Sequence, residues 1–170
     1  MLFQQYSVLH IFQKHLSVEK ALMPSKNMHA HIKRFDADLP LPEYKTPGAA
    51  GFDLASRATV TIAPGTVSLV PLNVAIKPPL GYFVLLAARS SLHKRGLMPA
   101  NGVGIIDADY CGNEDEYKAA LFNFSDHDAV IERGERIAQG VFVPLAQHSF
   151  MEVDDLGAQS RGGFGSTGKS

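Results

Sequence analysis

Residues 59–88 read TVTIAPGTVSLVPLNVAIKPPLGYFVLLAA. Val, Ile, Leu and Phe recur there in short runs, cut by Pro64-Gly65, by Pro71 and by Pro78-Pro79 ahead of Gly81. Short runs of β-branched and aromatic residues bounded by turn residues are the mark of strands, and none of these runs has the length of a helix. The same texture extends outward in both directions. It predicts strands over His31 to Phe35, Phe52 to Leu54, Thr59 to Ile62, Val67 to Pro71, Val74 to Lys77 and Tyr82 to Ala88, then over Val103 to Asp107, Tyr117 to Asn123, Ala129 to Glu132 and Ala138 to Pro144. One longer helical pattern stands apart: Val8, Ile11, Phe12 and Leu16 could form one face of a helix over residues 8–22. So many strands with a single helical pattern imply an all-β protein, and a jelly-roll β-sandwich or barrel is the economical architecture.

The chain has 170 residues, enough for one domain. Lys and Arg number 16 against 17 Asp and Glu, a net charge of −1, so no basic excess points to nucleic acid or to an acidic membrane. Any anion must be met locally. No apolar run approaches the roughly 18 residues of a membrane span. A single cysteine, Cys111, forms no internal disulfide, and residues 1–30 lack a secretory apolar segment, so the expected compartment is the cytoplasm. The expected division is an N-terminal extension over 1–28, either a short helix or disordered, a jelly-roll domain over 29–156, and a mobile C-terminal arm over 157–170 that closes an active site. That arm holds five Gly, three Ser and one Thr, a composition too polar to join a core. Its lone aromatic, Phe164, needs a surface from a ligand or another chain.

Several local features bear on chemistry. The arm matches the phosphate-loop pattern GxxxxGK[ST] at Gly163 to Ser170, but the strand before and helix after that give the pattern its meaning are lacking, so only a phosphate-wrapping backbone is expected. Arg89-Ser90-Ser91 ends an apolar run ahead of a single turn over Leu92 to Arg95, and reads either as an anion site or as an N-cap with a solvated arginine. Asp107 and Asp109 follow Val103 to Ile106; in extended chain both carboxylates point one way and one could act as a general base, while the alternative is a turn. Glu114, Asp115 and Glu116 read as a solvated loop. The seven histidines form no zinc-binding spacing, and Cys111 reads as an incidental thiol.

In order, these segments resemble the five motifs of the homotrimeric dUTP diphosphatases, the dUTPases. The motifs are Ala49-Ala-Gly-Phe-Asp53-Leu-Ala-Ser; Ala88-Arg89-Ser90-Ser91-Leu92; Asn101-Gly-Val-Gly-Ile-Ile-Asp107-Ala-Asp-Tyr110-Cys-Gly112; Arg133-Gly-Glu-Arg136-Ile-Ala-Gln139-Gly; and Arg161-Gly-Gly-Phe164-Gly-Ser166-Thr167-Gly168. The resemblance implies a jelly-roll homotrimer whose active sites are shared between subunits, hydrolysing dUTP to dUMP and pyrophosphate with Mg2+. It implies Asp107 as the base that activates water for attack on the α-phosphorus, and Asp53 as the residue that holds the metal through water. Arg89, Ser90, Ser91, Gln139, Arg161, Gly165, Ser166 and Thr167 are then expected along the phosphates. Asn101 and the backbone of Gly104, Ile105 and Ile106 would read the uracil, Phe164 would stack on it, and Tyr110 would lie against the deoxyribose and exclude a 2′-hydroxyl.

Two departures from the family pattern stand out. The arm has a shorter spacing between Arg161 and Phe164, which puts the phosphate contact of Arg161 in question. The chain is also about three residues longer after Gly112, where Asn113 to Asp115 is expected as a surface bulge with the hairpin kept. Two other functions fit parts of the pattern: a dCTP deaminase-like enzyme of the same fold, and a non-catalytic protein that senses nucleotide.

Overall fold

The computed structural model describes residues 28–160 and residue 162. The helix expected over 8–22 lies outside them. Among the described residues eleven strands form, all in antiparallel pairs, with one single-turn 3-10 helix over Leu92–Arg95. In chain order they are β1 His31–Arg34, β2 Phe52–Ala55, β3 Val60–Ile62, β4 Val67–Pro71, β5 Val74–Lys77, β6 Tyr82–Ala88, β7 Leu97–Pro99, β8 Gly104–Ile106, β9 Lys118–Asn123, β10 Ala129–Ile131 and β11 Arg136–Pro144. The all-β expectation holds. β7 was not foreseen: Leu-Met-Pro is too short to announce itself, and it exists because β9 offers an open edge that pairs Leu97 with Asn123.

Four sheets result, ordered β2-β11-β6-β8, β4-β9-β7, β1-β5 and β3-β10. Alternation along each strand fills the space between them. Phe52 and Leu54 of β2, Val84 and Leu86 of β6, and Ala119 and Leu121 of β9 point inward and meet Ile62, Val70, Ile76 and Ile131 in one core. The nine-residue β11 is the spine of the larger sheet, pairing with β2 on one side and along the whole of β6 on the other. A glycine at 140 is required there, since a Cβ would come within 2.5 Å of the Phe52 ring.

The other face of the β4-β9-β7 sheet is apolar as well. Val67 and Met98 stand opposite Phe122, Leu69 stands opposite Ala120, and Leu69 is 62% exposed. Beyond β11, Phe150, Met151 and Leu156 are likewise exposed.

Glu116 corrects the reading of a solvated loop at 114–116. It is buried, and its Oε1 accepts from Arg57 Nε at 2.7 Å and from the Asn73 N–H at 3.0 Å, while Oε2 accepts from Arg57 Nη2 at 2.8 Å. This pairing holds the Arg57 guanidinium even more firmly protonated than usual. Asn73 takes a left-handed φ of 66° and clasps the backbone of Asp36 with both ends of its amide. Asn113 and Glu114 do form a surface turn, closed by the Gly112 N–H donating to Asp115 Oδ2 at 2.6 Å.

Candidate active site

β2, β11 and β6 lie side by side, so strand register decides which side chains share a face. Phe52 and Leu54 point into the core, which sends Asp53 outward. Asp53 stands opposite Gln139, and Gln139 opposite Ala87. Directly opposed residues face the same way, and Arg89 follows Ala87 by two positions. Register alone therefore carries Asp53, Gln139 and Arg89 to one face.

A cleft of about 350 Å³ opens there, lined by Lys45, Gly51, Asp53, Arg89, Ser90 and Gln139. Glycine at 51 keeps it open, because a Cβ would sit 3.1 Å from Gln139 Oε1 and 3.2 Å from the Gly140 carbonyl oxygen. The Asp53 carboxylate lies between two guanidiniums. Arg89 Nε is 3.0 Å from its Oδ1, and Arg136 Nη1 donates to its Oδ2 at 3.0 Å. Arg89 also donates through Nη1 to the Arg136 carbonyl at 3.1 Å, and Gln139 donates to the Ala88 carbonyl at 3.0 Å. Lys45 at the rim pairs with Glu43, and that ammonium holds the Glu43 carboxyl below its ordinary range. Two guanidiniums against one carboxylate leave the cleft an excess of positive charge, suited to an anion. Ser90 and Ser91 are exposed, and the Ser91 hydroxyl makes no capping bond to the 3-10 turn.

Among the described residues no group of three His, Cys, Asp or Glu side chains gathers into a metal cage. The cleft has one carboxylate, Asp53, whose oxygens each keep a second lone pair after accepting from an arginine. That donor set fits a cation that carries its own waters and takes its remaining ligands from a phosphate chain, as Mg2+ does.

A second group gathers around the turn between β7 and β8. Gly102 takes a φ of 72° and donates to the Pro99 carbonyl at 3.2 Å, which leaves Asn101 exposed at the tip. Gly104 and Ile105 pair with Leu86 and Leu85 of β6, and Ile105 and Asn101 face solvent. The chain does not stay extended through the two aspartates. Tyr110 N–H donates to the Asp107 carbonyl at 3.1 Å and Cys111 N–H to that of Asp109 at 2.9 Å, so this stretch is a turn. Asp107 and Tyr110 are exposed on it, and among the described residues no side-chain hydrogen bond or ion pair engages the Asp107 carboxylate.

Asn101 and Gly104 share a small cavity with Ala87 and Ala88, which directly precede Arg89. Among the described residues, no side-chain hydrogen bond or ion pair joins Asn101 or Gly104–Tyr110 to Asp53, Arg89, Ser90 or Gln139. Arg161, Phe164, Gly165, Ser166 and Thr167 lie outside the described residues. Arg136 is the residue whose part sequence reasoning missed.

The fold and the cleft define an all-antiparallel β protein with an arginine-bearing polar cleft on the β2-β11-β6 sheet. The family profile described as dUTPase matches residues 37–168. The deoxyuridine 5'-triphosphate nucleotidohydrolase of Tolumonas auensis is 43% identical over 142 residues, covering 80% of this chain and 92% of that one, and that of Caulobacter vibrioides is 41% identical over 146 residues, covering 81% and 92%. Among solved structures, a dUTPase from Streptococcus mutans superposes with a TM-score of 0.64 at 35% identity, covering 70% of this chain and 98% of the other. A dUTPase of Staphylococcus bacteriophage 80alpha with dUpNHpp gives 0.73 at 27%, covering 82% and 98%. The chain belongs to the dUTPase family.

Proposed function

We propose that this protein is a dUTP diphosphatase that hydrolyses dUTP to dUMP and pyrophosphate, limiting uracil in DNA and supplying dUMP for dTTP synthesis in the cytoplasm. The observation that carries the reading is the convergence of Asp53, Arg89 and Gln139 on one cleft, in a chain whose relatives act on deoxyuridine triphosphate.

In this reading the arginine-lined cleft takes the triphosphate. Arg89, Ser90, Ser91 and Gln139 supply distributed donors, joined by Arg161, Gly165, Ser166 and Thr167 of an arm over 157–170. Distributed donors suit a transferring phosphoryl group, whose charge is spread over several oxygens. Asn101 and the backbone of Gly104, Ile105 and Ile106 read the uracil, Phe164 stacks on it, and Tyr110 walls off the 2′ position. Asp107 takes the proton from the attacking water through its carboxylate oxygen, a role its exposed place beside the turn leaves open. Mg2+ on the triphosphate, held through water by Asp53, would neutralise phosphate charge.

The active site is then shared between subunits of a homotrimer, as the resemblance to the family implies. The apolar outer face of the β4-β9-β7 sheet, which nothing among the described residues covers, supports that assembly. The domain would then comprise residues 29–156, with 1–28 as an extension outside it.

Pyrophosphate release from dUTP, dTTP, dCTP and UTP, each with Mg2+ and with EDTA, tests the proposal. Mg-dependent cleavage of dUTP alone is expected. Cleavage of all four, or of none, overturns it, and ammonia release from dCTP would indicate a deaminase.

A further inference from the structure

We propose that Tyr117 is a positioning residue that sets the plane of the Tyr110 ring and thereby sharpens selection against a 2′-hydroxyl; this rests on the reading of Tyr110 as the deoxyribose wall. The two rings stack with centroids 6.4 Å apart and planes 25° from parallel. The pair is unequal: Tyr110 is 42% exposed and Tyr117 1%.

Tyr117 is held from every side. Its hydroxyl donates to the Ile76 carbonyl at 3.1 Å, its N–H donates to the Val74 carbonyl at 2.8 Å, and its own carbonyl accepts from the Leu72 N–H at 2.8 Å. The ring is part of the main core. The loop between the two tyrosines is tied down as well, by Asp115 on the Gly112 N–H and by Lys33, which reaches the Asn113 carbonyl and lies 3.6 Å from Glu114. Tyr110 thus sits on an exposed turn while its ring rests on a fixed aromatic face.

An unsupported surface tyrosine samples several rotamers, whereas an offset stack favours one plane. Exclusion of a hydroxyl depends on a wall that does not yield, so the stiffness of the ring matters as much as its presence. Leucine at 117 keeps the position apolar, with a small cavity, without offering a flat support.

The test compares kcat/KM for dUTP and for UTP in the full-length wild type, Tyr117→Phe and Tyr117→Leu. The wild type and Tyr117→Phe are expected to share one dUTP:UTP preference, because the stack survives loss of the hydroxyl. Tyr117→Leu is expected to lower that ratio about fivefold, by gaining UTP turnover. An unchanged ratio, with both nucleotides slowed alike, is what a merely structural residue would give and overturns the proposal. A wild type that cleaves dUTP and UTP equally refutes the deoxyribose-wall reading, and this role with it. If Tyr117→Leu does not fold, nuclear Overhauser contacts between the Tyr110 and Tyr117 rings of the wild type decide the matter. Contacts that persist with dUMP bound support the role, and a Tyr110 ring that leaves Tyr117 overturns it.

Discussion

Arg136 reaches Asp53, Nη1 to Oδ2 at 3.0 Å, because the strand that carries it is bulged. Arg136 precedes Gln139 by three residues, so plain alternation would send the two side chains to opposite faces. The register slips between Arg136 and Ala138: Arg136 pairs with Ala55, and Ala138 with Leu54. Ile137 and Ala138 are both buried, and Arg136 is turned back to the cleft. Bulges beside functional sites commonly re-aim a side chain in this way.

Arg136→Met should therefore disturb substrate binding while sparing the fold. Without Arg136, the Asp53 carboxylate is free to turn both oxygens onto Arg89 and draw that guanidinium away from the phosphates. Arg136 is partly exposed, so solvent softens the loss. A rise of about tenfold in KM for dUTP is expected, the scale of one charge-assisted hydrogen bond, with little change in melting temperature. An unaltered KM would show that Arg136 does not hold Asp53 in place.

Asp107→Asn tests the base. The amide keeps the size and leaves the backbone turn to Tyr110 intact, since that turn uses the Asp107 carbonyl and not its side chain. Turnover of dUTP should fall by about two to four orders of magnitude, while dUMP binds with unchanged affinity in calorimetry. Parallel loss of binding would make Asp107 a binding residue instead.

Acid should weaken the protein partly through Asp36. Its carboxyl is held below the ordinary 3.8, first by its hydrogen bond from Arg133 and next by the Asp38 N–H. A carboxyl with a lowered folded pKa contributes stability above its unfolded value, and that contribution disappears as the pH falls through the folded value. Asp36→Asn should thus melt at a lower temperature than wild type at pH 6, with the gap closing below about pH 4. A gap that does not narrow as the pH falls would assign the difference to the hydrogen-bond geometry with Arg133 and the Asp38 N–H instead of the charge.

How much of this was legible in the sequence follows from the range of the forces involved. Strands such as Tyr82–Ala88 were readable because period-two burial and flanking Pro and Gly are local signals. Asp53 between Phe52 and Leu54 was legible for the same reason. β7 was not, since three residues become a strand only when β9 lies alongside. Glu116 looked solvated because its partners Arg57 and Asn73 are distant in the chain. Arg136 stood within a recognised motif, but its aim depends on a bulge that no local pattern announces.

The apolar face of the β4-β9-β7 sheet yields a prediction about assembly. Leu69 projects away from the core while its neighbour Val70 is fully buried, so a change at 69 can alter the outer surface without opening a cavity. Leu69→Glu places a charge beside Val67, Met98 and Phe122, where a second copy of the chain would have to desolvate it. If this face is the subunit interface, analytical ultracentrifugation should show a trimer for the wild type and smaller species for the variant at micromolar concentration. Activity should fall with the trimer, because Asp107 and Arg89 would no longer be brought together from different chains, while circular dichroism remains that of a folded β protein. A variant that stays trimeric and fully active would place the interface elsewhere, with the exposed Phe150 to Leu156 stretch as the next surface to change.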